Sequence, residues 1–293
     1  MSIRKIGGFM KISITADSVI DLTPALLEKY DIKIVPLGIL LGDNDYLDDG
    51  SVNPDMIFEF VRENKVLPKT SAANEEFYKT YFQKFLDMGY DALIHFSLSK
   101  CMSASHQNAV NASQSFDGRV RVIDSASLST GVALSAIYAR ELTESESDLD
   151  VIVEKVNKRI PFVQASFIVE KLDYLHKGGR CSSTAYLFGK AAGIRPQIVV
   201  KDGKMVSGKK YIGRNMPALI KKYCKDTLSE FKTPDKKRCF ITYSSASPEM
   251  VDAAREAIKE VGFEEVLETR AGSTICSHCG EYTLGILYIN DGE

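Results

Sequence analysis

Hydroxyl side chains cluster in two short stretches of this chain of 293 residues, and either stretch could bind an anion. Thr70 and Ser71 come shortly before a helix that we expect to begin near Asn74. Hydroxyl groups and free backbone N–H groups at a helix start favour negative charge, although such residues also serve in simple capping and turns. Ser103 lies in the second stretch, residues 97–105, between a buried strand and a helix. Because the Gly-x-Ser-x-Gly motif of a nucleophilic serine is absent there, we favour Ser103 as a hydrogen-bond donor.

Arg180 is a third candidate because two glycines precede it. The helical pattern before it ends at Gly178 and Gly179. A helix C-cap explains one glycine, and the second allows the backbone to turn sharply. An arginine held by such a turn can bind a carboxylate or a phosphate through two parallel hydrogen bonds.

His278 lies between Cys276 and Cys279 and allows several interpretations. We favour a loop that holds a polar group at a cleft, with an imidazole whose charge changes near neutral pH. A zinc-binding module using Cys276, His278 and Cys279 is one alternative, although a structural zinc site usually takes a second pair of ligands. A serine hydrolase that combines Ser103 and His278 with a carboxylate such as Asp124 is another.

The composition excludes several classes of protein. Lysine plus arginine number 37 against 39 acidic residues, which gives no general attraction to nucleic acid or anionic membrane. No run approaches the roughly 18–20 apolar residues of a membrane span, and the residues up to Met10 lack the apolar core of a signal peptide. The six cysteines are scattered, as is usual in a reducing cytosol. We therefore expect a cytoplasmic protein with at most transient membrane contact.

The N-terminal part of the chain has the pattern of an α/β domain. Apolar runs predict strands at residues 11–14, 33–41, 92–96 and 120–123, and capping residues predict helices after Thr23, after Asn53 and near Asn74. Alternating strands and helices indicate a parallel sheet flanked by helices. Ligands bind such sheets at the carboxyl ends of the strands, where three hydroxyl-rich loops occur here.

The pattern changes after about residue 160. Residues 197–201 and 204–211 flank Asp202 and Gly203, a strong hairpin signal. This predicts a C-terminal α+β domain with a mainly antiparallel sheet. The length agrees with two domains, for which we expect boundaries of 10–160 and 161–293. No phosphate-binding or dinucleotide-binding glycine loop occurs, so neither ATP nor a dinucleotide is expected as a cofactor.

Taken in order, these motifs resemble the DegV family, fatty-acid-binding proteins that include the binding subunits of bacterial fatty acid kinase. The matching motifs extend from about residue 11 to the C-terminus: Asp17-Ser18-x-x-Asp21-Leu22, Pro68-Lys-Thr70-Ser71, Ser103-x-x-x-Gln107-x-Ala109, Asp124-Ser125, Leu172-x-x-Leu175-x-x-Gly178-Gly179-Arg180 and His278-x-Gly280. The family's usual Gly-Pro-Gly after the histidine reads Gly280-Glu281-Tyr282 here, which puts a negative charge near the expected anion site.

The resemblance implies a lipid carrier rather than an enzyme. One long-chain fatty acid would lie in the cleft between the two domains, with its carboxylate held by Thr70 and Ser103 and with Ser71 beside them. Arg180 and His278 would stand at the mouth of the site. The protein would use no metal and no cofactor, and a separate kinase would phosphorylate the bound carboxylate to an acyl phosphate.

Overall fold

A computed structural model describes residues 10–180 and 193–292. In the N-terminal segment, residues 10–160, the strands are β1 Ile12–Asp17, β2 Ile32–Val35, β3 Gly38–Leu41, β4 Asn44–Leu47, β5 Lys69–Ser71, β6 Ala92–Ser97 and β7 Val120–Asp124. Its helices are α1 Pro24–Lys29, α2 Pro54–Asn64, α3 Glu75–Asp87, α4 Ser105–Ser113, α5 Thr130–Leu142 and α6 Leu149–Arg159.

In the C-terminal segment, residues 161–292, the described strands are β8 Val163–Ile168, β9 Ile194–Lys201, β10 Lys204–Ile212, β11 Arg238–Tyr243, β12 Glu265–Arg270 and β13 Leu284–Ile289. The described helices are α7 Asp173–Lys177, α8 Met216–Glu230, α9 Pro248–Ile258 and α10 Ser273–Cys279.

The N-terminal segment is built on a parallel sheet in the order β2-β1-β6-β7, which confirms the predicted α/β architecture. Strands β1, β6 and β7 end at Asp17, Ser97 and Asp124, so the three hydroxyl-rich loops share one edge of the sheet. The helix starts are also as predicted. The side chains of Thr23, Asn53 and Asn74 each accept a hydrogen bond from the backbone N–H three residues later.

The prediction of one strand over residues 33–41 is wrong. The run divides into β2, in the parallel sheet, and β3, in a separate antiparallel sheet of order β4-β3-β5. Pro36 and Leu37 separate the two strands. A proline has no N–H for a sheet ladder, so it suits the point where the chain leaves one sheet for another.

The C-terminal segment carries a mainly antiparallel sheet, also as predicted. Its order is β10-β9-β8-β13-β11-β12, and only the β11–β12 pair is parallel. Asp202 and Gly203 have φ angles of 50° and 73°, as the two central residues of the expected β9–β10 hairpin turn require.

Helix α5 joins the two segments. It packs against β1 and β6 of the parallel sheet and against β8 and β13 of the C-terminal sheet. Its residues are apolar or small on nearly every face, as befits a helix with neighbours on all sides. One hydrophobic core therefore includes residues from both segments. Neither α5 nor any other helix within residues 10–180 and 193–292 is long and apolar enough to cross a membrane.

Candidate functional site

A cavity of about 560 Å³, including the space at its mouth, lies between the two segments. Its polar lining residues include all five that the sequence singled out: Thr70, Ser71, Ser103, Arg180 and His278. Its apolar lining residues are Leu37, Ala72, Leu98, Met102, Leu128, Leu175, Met205, Ile275 and Cys279. Polar groups thus meet an otherwise apolar chamber, which is the composition of a site for an amphipathic ligand.

Thr70 and His278 are hydrogen-bonded across the cavity, although 208 positions separate them in the chain. Their Oγ1 and Nε2 atoms are 2.7 Å apart. Thr70 is held by β5, where it pairs with Ile39 of β3. We expected Thr70 in the connection before the helix at Asn74; α3 does begin after Asn74, but Thr70 lies on a short strand rather than in a loop. At Thr70, the group available to a ligand is therefore the side-chain hydroxyl rather than the N–H groups of a helix end.

His278 is neutral near pH 7 in this environment. Burial, reinforced by the nearby Arg180 guanidinium, lowers the pKa of His278 from 6.5 to about 4. The expectation that its charge changes near neutral pH is therefore wrong. Its Nδ1 atom is buried without a hydrogen-bond partner among the residues described, and it faces Gly178.

The geometry favours one tautomer of His278. If Nε2 carries the proton, it donates to the Thr70 oxygen, and the Thr70 hydroxyl hydrogen stays available to a ligand. The opposite tautomer would bury an unpaired N–H group against Gly178, which is costly. We therefore assign the proton to Nε2.

Ser103 is supported by a line of buried polar groups. Its oxygen accepts a hydrogen bond from the Ser105 N–H at 3.1 Å and lies 2.9 Å from the Ser105 hydroxyl. Ser105 interacts in turn with Tyr78, whose hydroxyl donates to the buried carboxylate of Asp17 at 2.5 Å. Sequence reasoning missed Tyr78, because a helical tyrosine with apolar neighbours looks like an ordinary core residue.

Arg180 stands at the mouth of the cavity and remains exposed. Helix α7 ends at Gly178, and Gly179 has a φ of 74°, so the chain turns sharply before Arg180. The guanidinium donates to the backbone oxygens of Gly178 at 2.6 Å and Met102 at 2.9 Å. It therefore bridges the two segments beside Ser103 and still faces solvent.

A second cavity of about 350 Å³ adjoins the first. Leu128, Ile275 and Cys279 line both. The other lining residues are Ser129, Phe167, Thr242, Tyr243, Ser244, Ala271, Thr283, Gly285 and Leu287, from both segments. The two cavities therefore share part of an apolar wall, next to the polar groups of the first.

The family model for DegV proteins matches residues 11–291, nearly the whole chain. This chain belongs to the DegV family. A curated DegV relative, a fatty acid-binding protein of Thermotoga maritima, is 29% identical over 283 residues, which cover 94% of this chain and 96% of the relative.

Solved structures of DegV proteins share the fold over almost their full length. A fatty-acid-binding DegV protein from Thermus thermophilus has 28% identity and a TM-score of 0.86, with 96% of this chain and 99% of that one covered. The Fak B3 protein of the Streptococcus pneumoniae fatty acid kinase, loaded with linoleic acid, has a TM-score of 0.84. The match covers 96% of this chain and 100% of that one. At 20% identity, that second likeness concerns the fold alone.

The DegV fold places His278 on a helix rather than in the loop that we predicted. The short helix α10 contains Cys276, His278 and Cys279 and ends at Gly280, whose φ is 72°. Burial raises the pKa of both thiols, which keeps them protonated, and the Cys276 thiol donates to the Ala271 carbonyl. Within the described ranges, no three metal-binding side chains form a cluster that could hold a zinc ion.

The residues of the hydrolase alternative do not form a triad. One nitrogen of His278 is bonded to Thr70 and the other faces Gly178. Asp124 instead accepts hydrogen bonds from the backbone N–H groups of Lys100 and Ala126. Ser103 therefore lacks the histidine base, oriented by a carboxylate, that activates a nucleophilic serine.

The charge of Glu281 is compensated. Its carboxylate forms an ion pair with Arg62 of α2, with an N–O distance of 2.9 Å, and it does not line the first cavity. The departure from the family's Gly-Pro-Gly therefore adds a bridge between the two segments rather than a free negative charge in the anion site.

Proposed function

We propose that this protein binds one long-chain fatty acid in the cleft between its predicted domains, residues 10–160 and 161–293. The observation that carries the proposal is the convergence of Thr70, Ser103, Arg180 and His278 in a cavity that shares part of an apolar wall with a second one. The fatty-acid-binding relatives of similar sequence and fold support it.

The carboxylate would accept hydrogen bonds from two hydroxyls. The Thr70 oxygen accepts a hydrogen bond from His278 Nε2–H, and the Ser103 oxygen accepts one from the Ser105 N–H. Each hydroxyl can therefore donate its own hydrogen to the carboxylate. A buried carboxylate is costly unless it is hydrogen-bonded, and the Arg180 guanidinium offsets part of its charge. Ser71, exposed next to Thr70 on β5, contributes to the rim.

The acyl chain would pass Leu128 and Ile275 into the second cavity. Burial of fifteen methylene groups contributes roughly 12 kcal/mol before the cost of ordering is subtracted. Because this energy comes from apolar area alone, the site needs no metal and no cofactor. The role is that of a carrier, located in the cytoplasm, rather than of a catalyst.

We further propose that a separate fatty acid kinase phosphorylates the bound lipid. A carboxylate oxygen would attack the terminal phosphorus of ATP, giving an acyl phosphate and ADP. The exposed position of Arg180 at the mouth supports this, since its permanent charge can meet the added phosphate there.

Lipid extraction tests the carrier proposal. Mass spectrometry of a denaturing extract should find long-chain fatty acid, and the delipidated protein should melt lower than the loaded one and recover with palmitate. The methyl ester of palmitate, which lacks the anionic head, is the matched control and should restore less stability. A fatty-acid-free extract together with no thermal shift by palmitate would contradict the proposal.

A further inference from the structure

Two carboxyl groups of the N-terminal segment contact the start of α10, the helix that carries His278. Asp21 Oδ1 accepts the Gly272 N–H at 2.7 Å, and Asp48 Oδ2 accepts the Thr274 N–H at 3.3 Å. Gly272 is the N-cap residue of α10 and has no side chain that could bind the N–H groups of the first turn. Helix α10 is therefore capped by the other segment rather than by its own sequence.

Gly272 allows the Asp21 carboxyl group to approach. A Cβ atom at this position would lie 3.2 Å from Asp21 Oδ1 and 3.8 Å from both oxygens of Asp48. The absence of a side chain at the N-cap thus makes room for Asp21, whereas a Cβ would meet Asp48 only at ordinary contact distance.

The same two carboxyl groups reach the walls of both cavities. Asp21 also accepts the Ser129 hydroxyl, and Ser129 lines the second cavity. Asp48 accepts the Ser18 hydroxyl at 3.0 Å, and Ser18 in turn accepts the Leu37 N–H at 3.2 Å. Leu37 lines the first cavity. Helix α10 is thereby tied to residues on both sides of the lipid path.

Thr274 and His278 lie four positions apart on α10, and both line the first cavity. Because a short helix moves as one body, fixing the N–H groups at its start also fixes the imidazole at its end. We propose that Asp21 and Asp48 are positioning residues for the carboxylate site, which keep His278 within hydrogen-bond distance of Thr70. This inference depends on the proposed fatty-acid function.

Burial raises the pKa of both acids. Burial raises the pKa of Asp21 to about 8, hydrogen bonds from Ser129 and Gly272 oppose the shift, and the charge of Asp48 adds to it. The ionisable groups around Asp21 are the Asp48 carboxyl, the neutral Cys276 and Cys279 thiols and, beyond Cys276, the Arg270 guanidinium, which is paired with Asp55. At neutral pH, Asp21 is therefore mainly protonated.

The sign of the pH effect follows from that raised pKa. The folded state holds a proton on Asp21 that the unfolded state, with a pKa near 3.8, has already released. Folded-state stability is therefore lost as the pH rises from about 4 to about 8. Above pH 8, Asp21 is mainly ionised and its negative charge lies beside the Asp48 carboxyl at the start of α10, so the cap should weaken.

The experiment uses the full chain and palmitate labelled with carbon-13 at its carboxyl carbon. The variants are Asp21→Asn, which stays neutral and keeps an oxygen acceptor, together with Asp21→Ala and Asp48→Ala. Asp148→Ala is the matched control, because Asp148 caps α6 away from both cavities. Titrations between about pH 7 and pH 9 give the Kd, and NMR gives the carboxyl resonance of the bound lipid.

We expect the alanine variants to bind about 5- to 10-fold more weakly, in keeping with a lost hydrogen bond, and to shift the carboxyl resonance. Wild-type affinity should fall as the pH rises through 8. Asp21→Asn should match wild type at pH 7 and lack that fall, and Asp148→Ala should lower stability without moving the resonance.

Wild-type affinity and an unchanged resonance in both alanine variants would overturn the inference, as would a pH-dependent fall that persists in Asp21→Asn. If Asp21→Ala does not fold, the Asp48→Ala and Asp21→Asn variants still test the inference. Failure of wild type to bind palmitate would instead contradict the proposed function, so the two failures are distinguishable.

Discussion

Single side chains in the first cavity fall into two groups by exposure. Thr70 and Ser103 are partly buried and held by neighbours, whereas Arg180 is exposed at the mouth. His278, which we expected at the mouth with Arg180, is partly buried like Thr70, to which it is hydrogen-bonded. The roles that we propose for them, holding the carboxylate and meeting an added phosphate, should therefore be separable by mutation.

Ser103→Ala and Arg180→Ala test this separation. Ser103→Ala removes one hydroxyl donor and should weaken fatty acid affinity by about 1–2 kcal/mol, the usual worth of such a hydrogen bond. Arg180→Ala should weaken affinity less, because solvent screens its charge, but should sharply reduce acyl phosphate formation with a cognate kinase and ATP. A fatty-acid titration and a coupled phosphorylation assay measure the two effects.

The control is Ser113→Ala, at the far end of α4, whose hydroxyl bonds only to the Val110 carbonyl in the described structure. It should leave both assays near wild type. Equal losses for Ser103→Ala and Arg180→Ala in both assays would refute the separate roles of these two residues.

Among the elements, the end of α7 packs closely against helix α10. A Cβ atom on Gly178 would lie 2.5 Å from His278 Nδ1, which is too close for any real contact. The φ of Gly178 is −74°, which alanine adopts without strain. An effect of a side chain there should therefore come from its close contacts, mainly with the imidazole and secondarily with the Tyr174 carbonyl oxygen at 3.0 Å.

Gly178→Ala should consequently displace His278 from Thr70 and lower fatty acid affinity about 10-fold, comparable to loss of a hydrogen bond to a charged group. Gly179→Ala is the comparison: its φ of 74° strains alanine, but nothing lies within 4 Å of the added Cβ. It should reduce the melting temperature more than the affinity. A fatty-acid titration measures the effect on affinity, and thermal melting measures the effect on stability. Unchanged affinity in Gly178→Ala would show that the close contact between Gly178 and His278 is unimportant for binding.

At the scale of the whole molecule, residues of both segments line the proposed lipid path. Leu128, from the loop between β7 and α5, lines both cavities and is 5% exposed. A larger side chain here would narrow the passage between them. The first cavity would then still accept a carboxylate and a short chain, but the second could not be filled.

Leu128→Phe should therefore reduce affinity for stearate more than for laurate. Each methylene group kept from the second cavity costs roughly 0.8 kcal/mol of burial. Overpacking also destabilises the fold, but such a loss acts on both ligands alike, so the stearate-to-laurate affinity ratio is the decisive measurement. A ratio equal to that of wild type would show that the acyl chain does not pass Leu128.

Local chemistry explains what the sequence alone determined. The helix starts at Thr23, Asn53 and Asn74 and the Asp202–Gly203 turn were predictable, because a cap or a turn acts on atoms within three residues of itself. The order of strands and helices likewise determined a parallel sheet, and the ordered motifs determined the family.

Only the tertiary structure decided the rest. It divided residues 33–41 between two sheets, placed His278 on a helix, joined it to Thr70 and held it neutral. These outcomes depend on hydrogen bonds and burial between residues far apart in the chain. A histidine has the same intrinsic pKa in any sequence, and only the neighbours that fold around it decide whether it is charged.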